Sequence, residues 1–249
     1  MLTVSPSIAP EIYRIAPGFR ALSICVKAAP VLHPDAGETA LREACEAVLA
    51  GEPEWAESHL AAWADVFQKF GAKPKRTPCS ADALRKRVLR DGTMPALDPI
   101  VDLYNAVSLR YAVPVGGENI SAYQVSPRLA VANGTEPFDT VKEGETAVKY
   151  PSQGEVIWCD DTGVTCRRWN WRQGDQNPRG RGRSANVVHS GKPAADAAGE
   201  TARSREDADR RPGKNDATAC GLTSLSSKNN SSNTLQEKHG CLPVCRRFH

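Results

Sequence analysis

Residues 154–171 read GEVIWCDDTGVTCRRWNW, and the reading of this run decides the fold class. Val156, Ile157, Trp158 and Cys159 make a short apolar stretch, Asp160-Asp161-Thr162-Gly163 is a polar turn closed by glycine, and residues 164–171 return as a second extended arm. The spacing predicts a hairpin over 155–171. Alternation along the second arm puts Arg167, Trp169 and Trp171 on one face and Cys166, Arg168 and Asn170 on the other. Two tryptophans and an arginine on one strand face suit packing beneath a helix or stacking on a base.

Upstream, further extended stretches end at turn signals. Residues 112–115 precede Gly116-Gly117, 128–132 precede Asn133-Gly134, and 146–150 precede Pro151. Before them the pattern is helical. Asp98-Pro99 supplies an N-cap and a first-turn proline for a helix to about Arg110, apolar around most of its circumference, with Asn105 in its middle. A buried amide there either bonds backbone internally or faces a pocket. Ser80 is the expected N-cap of a helix over 81–90 that Gly92 ends. Leu60, Trp63, Phe67 and Phe70 form the stripe of a helix over 54–70, and Leu41, Cys45, Val48 and Leu49 mark one from Glu38 to Gly51. At the start, Ile12, Tyr13, Ile15 and residues 19–26 read as early strands broken by Pro10, Pro17 and Pro30. The expected class is α+β, with mixed or antiparallel sheets packed against helices and a disordered tail after them.

Composition sets the boundary of that tail. Residues 1–172 hold 14 of the 15 aromatic side chains, and the 77 residues from Gln173 hold only Phe248, with seven Val or Leu and no Ile or Met. Such a segment does not bury enough apolar surface to offset the entropy of ordering. The expected division is therefore a domain over 1–172 and a disordered, low-complexity tail over 173–249. Charge divides at the same place: 19 Lys or Arg face 21 Asp or Glu before it, and 13 face 8 after it. The core is near −2 and the tail supplies +5, so nucleic-acid binding must come from a local patch rather than from net charge. No run approaches a membrane span and no secretory signal opens the chain, which makes a cytoplasmic protein without membrane contact the expectation. The eight scattered cysteines read as reduced thiols. His239, Cys241, Cys245 and His249 have zinc-ligand chemistry, but lack a packed surround and read as an accidental cluster; no metal or other cofactor is expected.

Residues 73–90 carry the local patch. Lys73, Lys75, Arg76, Arg85, Lys86, Arg87 and Arg90 stand against Asp82 alone. They read either as a solvated face complementing a helix C-terminus or as contacts to the phosphates of a polyanion. Other chemistry is scarce. His33 and His59 have no Ser or Cys partner at a diagnostic spacing, and the chain has no phosphate-binding loop, dinucleotide fingerprint or zinc-protease helix.

The runs KRVLRDGTMPALDPIVDLYNAVSLRYAVPVGGENI (86–120), EPFDTVKEGE (136–145) and 154–171 together resemble free-standing relatives of the tRNA-editing domain of the bacterial phenylalanyl-tRNA synthetase beta subunit, its third and fourth modules. The resemblance implies an α+β fold and a pocket that takes the amino-acid end of a charged tRNA. It implies substrate-binding roles for Asn105, Gly116, Gly117, Gly163 and Val164, and the tRNA acceptor end as partner, with no DNA partner expected. The phosphates then fall to Lys75, Arg76, Arg85, Lys86, Arg87, Arg90, Arg167 and Arg168. A histidine that the synthetase pocket carries just after the helix is absent; Gly116 and Gly117 stand in that region, and catalytic residues are not assigned. Hydrolysis of a mischarged aminoacyl-tRNA, rather than aminoacylation, is the activity implied. After Gln173 the resemblance gives way to an Arg, Ser, Asn and Gly-rich tail, as a shift of reading frame near Gly174 and a truncated domain would produce. The alternatives are a non-catalytic module for an aromatic amino acid or related metabolite, and a truncated product without function.

Overall fold

The apolar stripes predicted for the helices become the cores of two layers. In the computed structural model, residues 5–27, 30–119, 123–142, 144–173, 186–192 and 218–225 are described. Helices α2 (Asp35–Leu49), α4 (Ser80–Asp91) and α5 (Pro99–Tyr111) pack around Leu41, Ala44, Val48, Val88 and Leu109. Their close approach depends on Gly37. A Cβ built there would lie 2.3 Å from Pro99 O, so any larger residue forces α2 and α5 apart.

A five-stranded sheet of order β1-β4-β7-β8-β9 holds the second layer: β1 (Ser7–Ile8), β4 (Arg128–Val131), β7 (Val156–Cys159), β8 (Val164–Arg167) and β9 (Arg172–Gln173). It is mixed, since β1 runs parallel to β4 and the other pairs are antiparallel. Alternation sends Leu129, Val156 and Trp158 to one face, where helix α3 (Ala56–Lys69) supplies Trp63, Val66 and Phe67. Ile157, Cys159 and Val164 face the other way, onto Phe138 of β5 (Phe138–Lys142), which among the described residues pairs only with β6 (Glu145–Lys149). The architecture is α+β, as expected.

The third sheet is antiparallel, of order β11-β2-β10-β3, with β2 (Arg20–Lys27), β3 (Val115–Asn119), β10 (Asn186–Lys192) and β11 (Thr218–Leu225). It draws on both sides of the boundary expected at 172/173. Strand pairing is made by main-chain groups, which every residue but proline supplies in full. The rest of the tail lies outside the described residues, and with it the cluster of His239, Cys241, Cys245 and His249. Among the described residues no helix is long and apolar enough to cross a membrane.

Several local expectations change. Ile12–Ile15, expected as strand, is a single helical turn, α1, which buries Ile12 against α3 and the sheet. Gly116-Gly117 lies inside β3 rather than in a turn, because Tyr104 of α5 occupies the space a side chain at 117 would need: a Cβ there would meet Tyr104 Cε1 at 3.0 Å. Ser80 is the first residue of α4 rather than its cap, and its N–H donates to Asn170 Oδ1 at 3.0 Å. Asp98 does cap α5, accepting from the N–H groups of Ile100 and Val101 with Pro99 in the first turn.

The second hairpin arm stops being a strand at Arg167. Arg168 and Trp169 follow with φ of 47° and 65°, a conformation that costs each non-glycine residue roughly 1–3 kcal/mol. Buried Glu155 holds the turn: its carboxylate accepts from Arg167 Nε and Nη2 at 2.8 and 2.6 Å and from the Arg168 N–H at 3.2 Å, while the Trp169 N–H donates to Val156 O at 2.7 Å. The turn drops Trp169 into the core beneath α3, against Phe19, Trp63 and Phe70. Of the two readings of this arm, packing is what Trp169 does.

Candidate functional site

Polar groups buried without partners are costly, so a cluster of them marks a place suited to hold a polar molecule. One such cluster lies between β3 and the five-stranded sheet. Thr165 is the start of it. The β7–β8 register pairs Trp158 with Cys166 but Cys159 with Val164, so Thr165 is the extra residue of a β-bulge. Val164 and Cys166 keep their places in the cores on the two faces of the sheet, and Thr165 is turned out of the ladder toward Glu118 and Tyr123.

Thr165 and Tyr123 are both buried, and neither hydroxyl makes a well-formed hydrogen bond among the described residues. Thr165 nonetheless lies close enough to favour the charged forms of both Glu118 and Tyr123. Burial dominates: it pushes the Glu118 carboxyl up to about 7, helped by the negative charge of nearby Asp160. The residue keeps partial solvent contact while its carboxyl is the part surrounded by protein. Burial also raises the Tyr123 phenol well above its usual value, so at neutral pH it remains a donor. Asp160 goes the other way. Burial raises it, but donation from Thr162 Oγ1 at 2.6 Å, Gln124 N at 3.0 Å, Thr162 N at 2.8 Å and Gly163 N at 3.2 Å brings it below the ordinary carboxylate value. Burial thus moves one carboxyl toward neutrality while hydrogen bonds hold its neighbour below the ordinary carboxylate value.

The sequence-derived substrate residues lie on α5, on β3 and at the β7–β8 turn. Asn105 is 1% exposed, on α5 next to the Tyr104 that packs on Gly117, and its Oδ1 has no partner among the described residues. Gly116 and Gly117 precede Glu118 on β3. Ser23 of β2, buried and with no partner for its hydroxyl among the described residues, stands in the cross-strand row of Gly116 through β10. Gly163 is the close-packed end of the Asp160 turn: a Cβ there would lie 2.6 Å from Pro137 O. The Val164 N–H donates to that same carbonyl at 2.8 Å and its side chain is fully buried against Phe138 and Ile157, so Val164 supports the hairpin.

The cationic residues separate into three groups. Lys75 and Arg76, with Lys73, are exposed in the loop before α4 and have no ion-pair partner among the described residues. Lys86 pairs with Asp82 at 2.7 Å, and Arg87 and Arg90 share Asp91, at 3.8 and 2.6 Å. Arg85 and Arg167 do not belong to a phosphate-binding surface. Arg85 is 7% exposed and its Nη1 donates to Glu52 O at 2.7 Å and to Leu109 O at 3.4 Å, tying α4 to the end of α5. Ala81, Arg85 and Val88 share one helical stripe, and that stripe is the buried one. Arg167 is spent on Glu155. Arg168 lies near the same carboxylate, at 3.7 Å, and over the Trp171 ring at 4.5 Å.

Sequence reading missed Glu118, Tyr123 and Thr165. A carboxylate directly after Gly116-Gly117 was the available signal for the first; nothing local marks the others. Cys25, Cys45, Cys79 and Cys159 are free, and burial holds Cys79 at about 12 and Cys159 at about 11, so neither of these two is a thiolate at neutral pH. No cluster of three or more metal-ligating side chains occurs among the described residues.

The family model of the B3/4 domain matches residues 62–178. This bears out the resemblance seen in the sequence. The B3/4 segment takes in most of α3, α4, α5 and every strand from β3 to β9, and so Asn105, Glu118, Tyr123, Asp160 and Thr165 together with all of the cationic residues above. β2 with Ser23, α2 and the greater part of the tail fall outside the B3/4 match. No curated protein matches the chain.

Proposed function

We propose that this protein binds the acceptor end of a charged tRNA in the cytoplasm and hydrolyses the ester that links the amino acid to it. The observation that carries the reading is the Glu118 carboxyl, held near neutrality beside the buried hydroxyls of Thr165 and Tyr123. As carboxylate, Glu118 takes a proton from a water whose oxygen attacks the ester carbonyl carbon; the bond to the ribose oxygen then breaks and the proton passes to that oxygen. The Tyr123 and Thr165 hydroxyls are suited to donate to the oxyanion that forms in between. Asn105 Oδ1, buried without a partner among the described residues, is an acceptor suited to the α-ammonium group of the amino acid.

Lys75 and Arg76, extended by Lys86, Arg87, Arg90 and Arg168, supply the phosphate contacts. The Lys75→Glu/Arg76→Glu variant is expected to weaken tRNA binding and to make log Kd less steep against log salt, by about 0.7–0.9 for each phosphate no longer neutralised. Filter binding at several salt concentrations measures both. Unchanged affinity and slope would remove the patch from the interface. The hydrolysis itself is tested with the full chain and tRNA charged with labelled tyrosine: release of the amino acid above the uncatalysed rate is expected, and its absence at micromolar protein overturns the reaction.

The pairing of Lys86, Arg87 and Arg90 with their own Asp82 and Asp91 favours a second reading, in which the pocket takes a free aromatic amino acid or a related metabolite. Binding of the free amino acid without a steep salt dependence, and no binding of tRNA, would select it. The composition change near Gly174 is further proposed to come from a shifted reading frame in a truncated domain. An aromatic-bearing continuation in another frame of the underlying DNA is the expected result, and its absence removes the proposal.

A further inference from the structure

Strand β6 (Glu145–Lys149) pairs with β5 on one side and with no described strand on the other. All of its residues except Ala147 are exposed. The register opposes Lys149 to Phe138 and Ala147 to Thr140, both buried partners, so this face of the hairpin looks inward. Asp139, Val141, Thr146 and Val148 share the outer face, where Val141 is 44% and Val148 52% exposed, and Tyr150 beyond the strand is 58% exposed.

Edge strands are ordinarily blunted by a proline, a bulge or a charge in mid-strand. β6 has none of these among its three central residues, Thr146, Ala147 and Val148, and its ladder with β5 is regular from end to end. Its two charges stand at its two ends and are opposite in sign.

We propose that β6 pairs antiparallel with β6 of a second copy of this chain, about a two-fold axis at Ala147. In that register Ala147 meets Ala147, Thr146 meets Val148, and Glu145 meets Lys149 of the second copy, with the charge match made twice. A parallel in-register pairing would instead set Glu145 on Glu145 and Lys149 on Lys149. The charge order of the strand therefore selects an isologous, self-complementary contact. It also makes one four-stranded ribbon whose outer face carries Val141, Thr146 and Val148 of both copies.

Sedimentation velocity of the full chain from about 1 to about 200 μM is expected to give a concentration-dependent monomer–dimer equilibrium. Glu145→Lys and Lys149→Glu, each placing like charges opposite one another at both ends, are expected to weaken the dimer by about tenfold or more. Mixing the two single variants restores the match and the dimer, and so does the doubly swapped Glu145→Lys/Lys149→Glu chain. A wild-type chain that stays monomeric over this range overturns the proposal. So do single variants that dimerise as well as wild type, or a mixture no better associated than its components.

Discussion

Glu118→Gln is expected to lower the rate of aminoacyl-tRNA hydrolysis by a factor of about 10²–10⁴ while leaving tRNA affinity close to wild type. The glutamine keeps the shape of the side chain and loses the titrating oxygen. In the wild-type chain the rate should rise as pH passes through about 7, where the Glu118 carboxyl ionises, and then level off. In the variant that rise disappears. The same group has a second signature that does not depend on activity. Its folded pKa lies above the unfolded carboxylate value, so the folded state binds the extra proton between about 4.5 and 7, and stability falls as pH rises across that window. Denaturant titrations at pH 5 and pH 8 are expected to differ more for wild type than for Glu118→Gln. Equal hydrolysis by the two proteins would remove Glu118 from the chemistry, and an equal pH dependence of stability would show that its carboxyl ionises in the folded chain as it does in the unfolded one.

Trp169→Ala is expected to cost about 3–5 kcal/mol of folding stability, a large share of the ~5–15 kcal/mol that holds a domain together. Trp169 is 2% exposed, edge-on to Phe19 at 4.8 Å and to Trp63 at 5.4 Å, and it joins the turn after β8 to α1, α3 and the sheet at once. Its indole N–H has no partner among the described residues, so the loss is one of packing and of the cavity left behind. The positive φ at 169 remains in the variant, and with it the strain that the tryptophan's packing had offset. Circular dichroism through a urea titration measures the change; a loss under about 1 kcal/mol would mean that the cavity closes by collapse of the cluster.

The two residues differ in how they relate to the chain around them. Trp169 was visible in the sequence as a large side chain suited to packing beneath a helix or to stacking on a base, and its orientation was misjudged. Alternation assigned it the same face as Arg167, but the strand ends at Arg167 and the turn that follows is set by Glu155. Glu118 gave almost no local signal. Its acidity is altered by burial and by Thr165 and Asp160, both more than forty residues further along the chain.

What the sequence determined by itself was written in local chemistry. Asp98-Pro99 and Gly92 mark ends of α5 and α4, Leu60, Trp63, Phe67 and Phe70 mark the buried stripe of α3, and Asp160 to Gly163 marks the hairpin turn, because caps, turns and helical periodicity act within a few residues. The B3/4 resemblance was carried by the same stretches. What only the tertiary structure decided was which polar groups lose water. Arg85 and Lys86 are adjacent cations, yet one turns inward to two carbonyls and the other outward to Asp82, about 100° further round the helix. Thr165 leaves its ladder only because β8 has one residue more than β7 across the bulge. Desolvation, unlike a cap or a turn, is the sum of what many distant segments bring to one place, so the site became legible only once the sheets and helices were assembled around it.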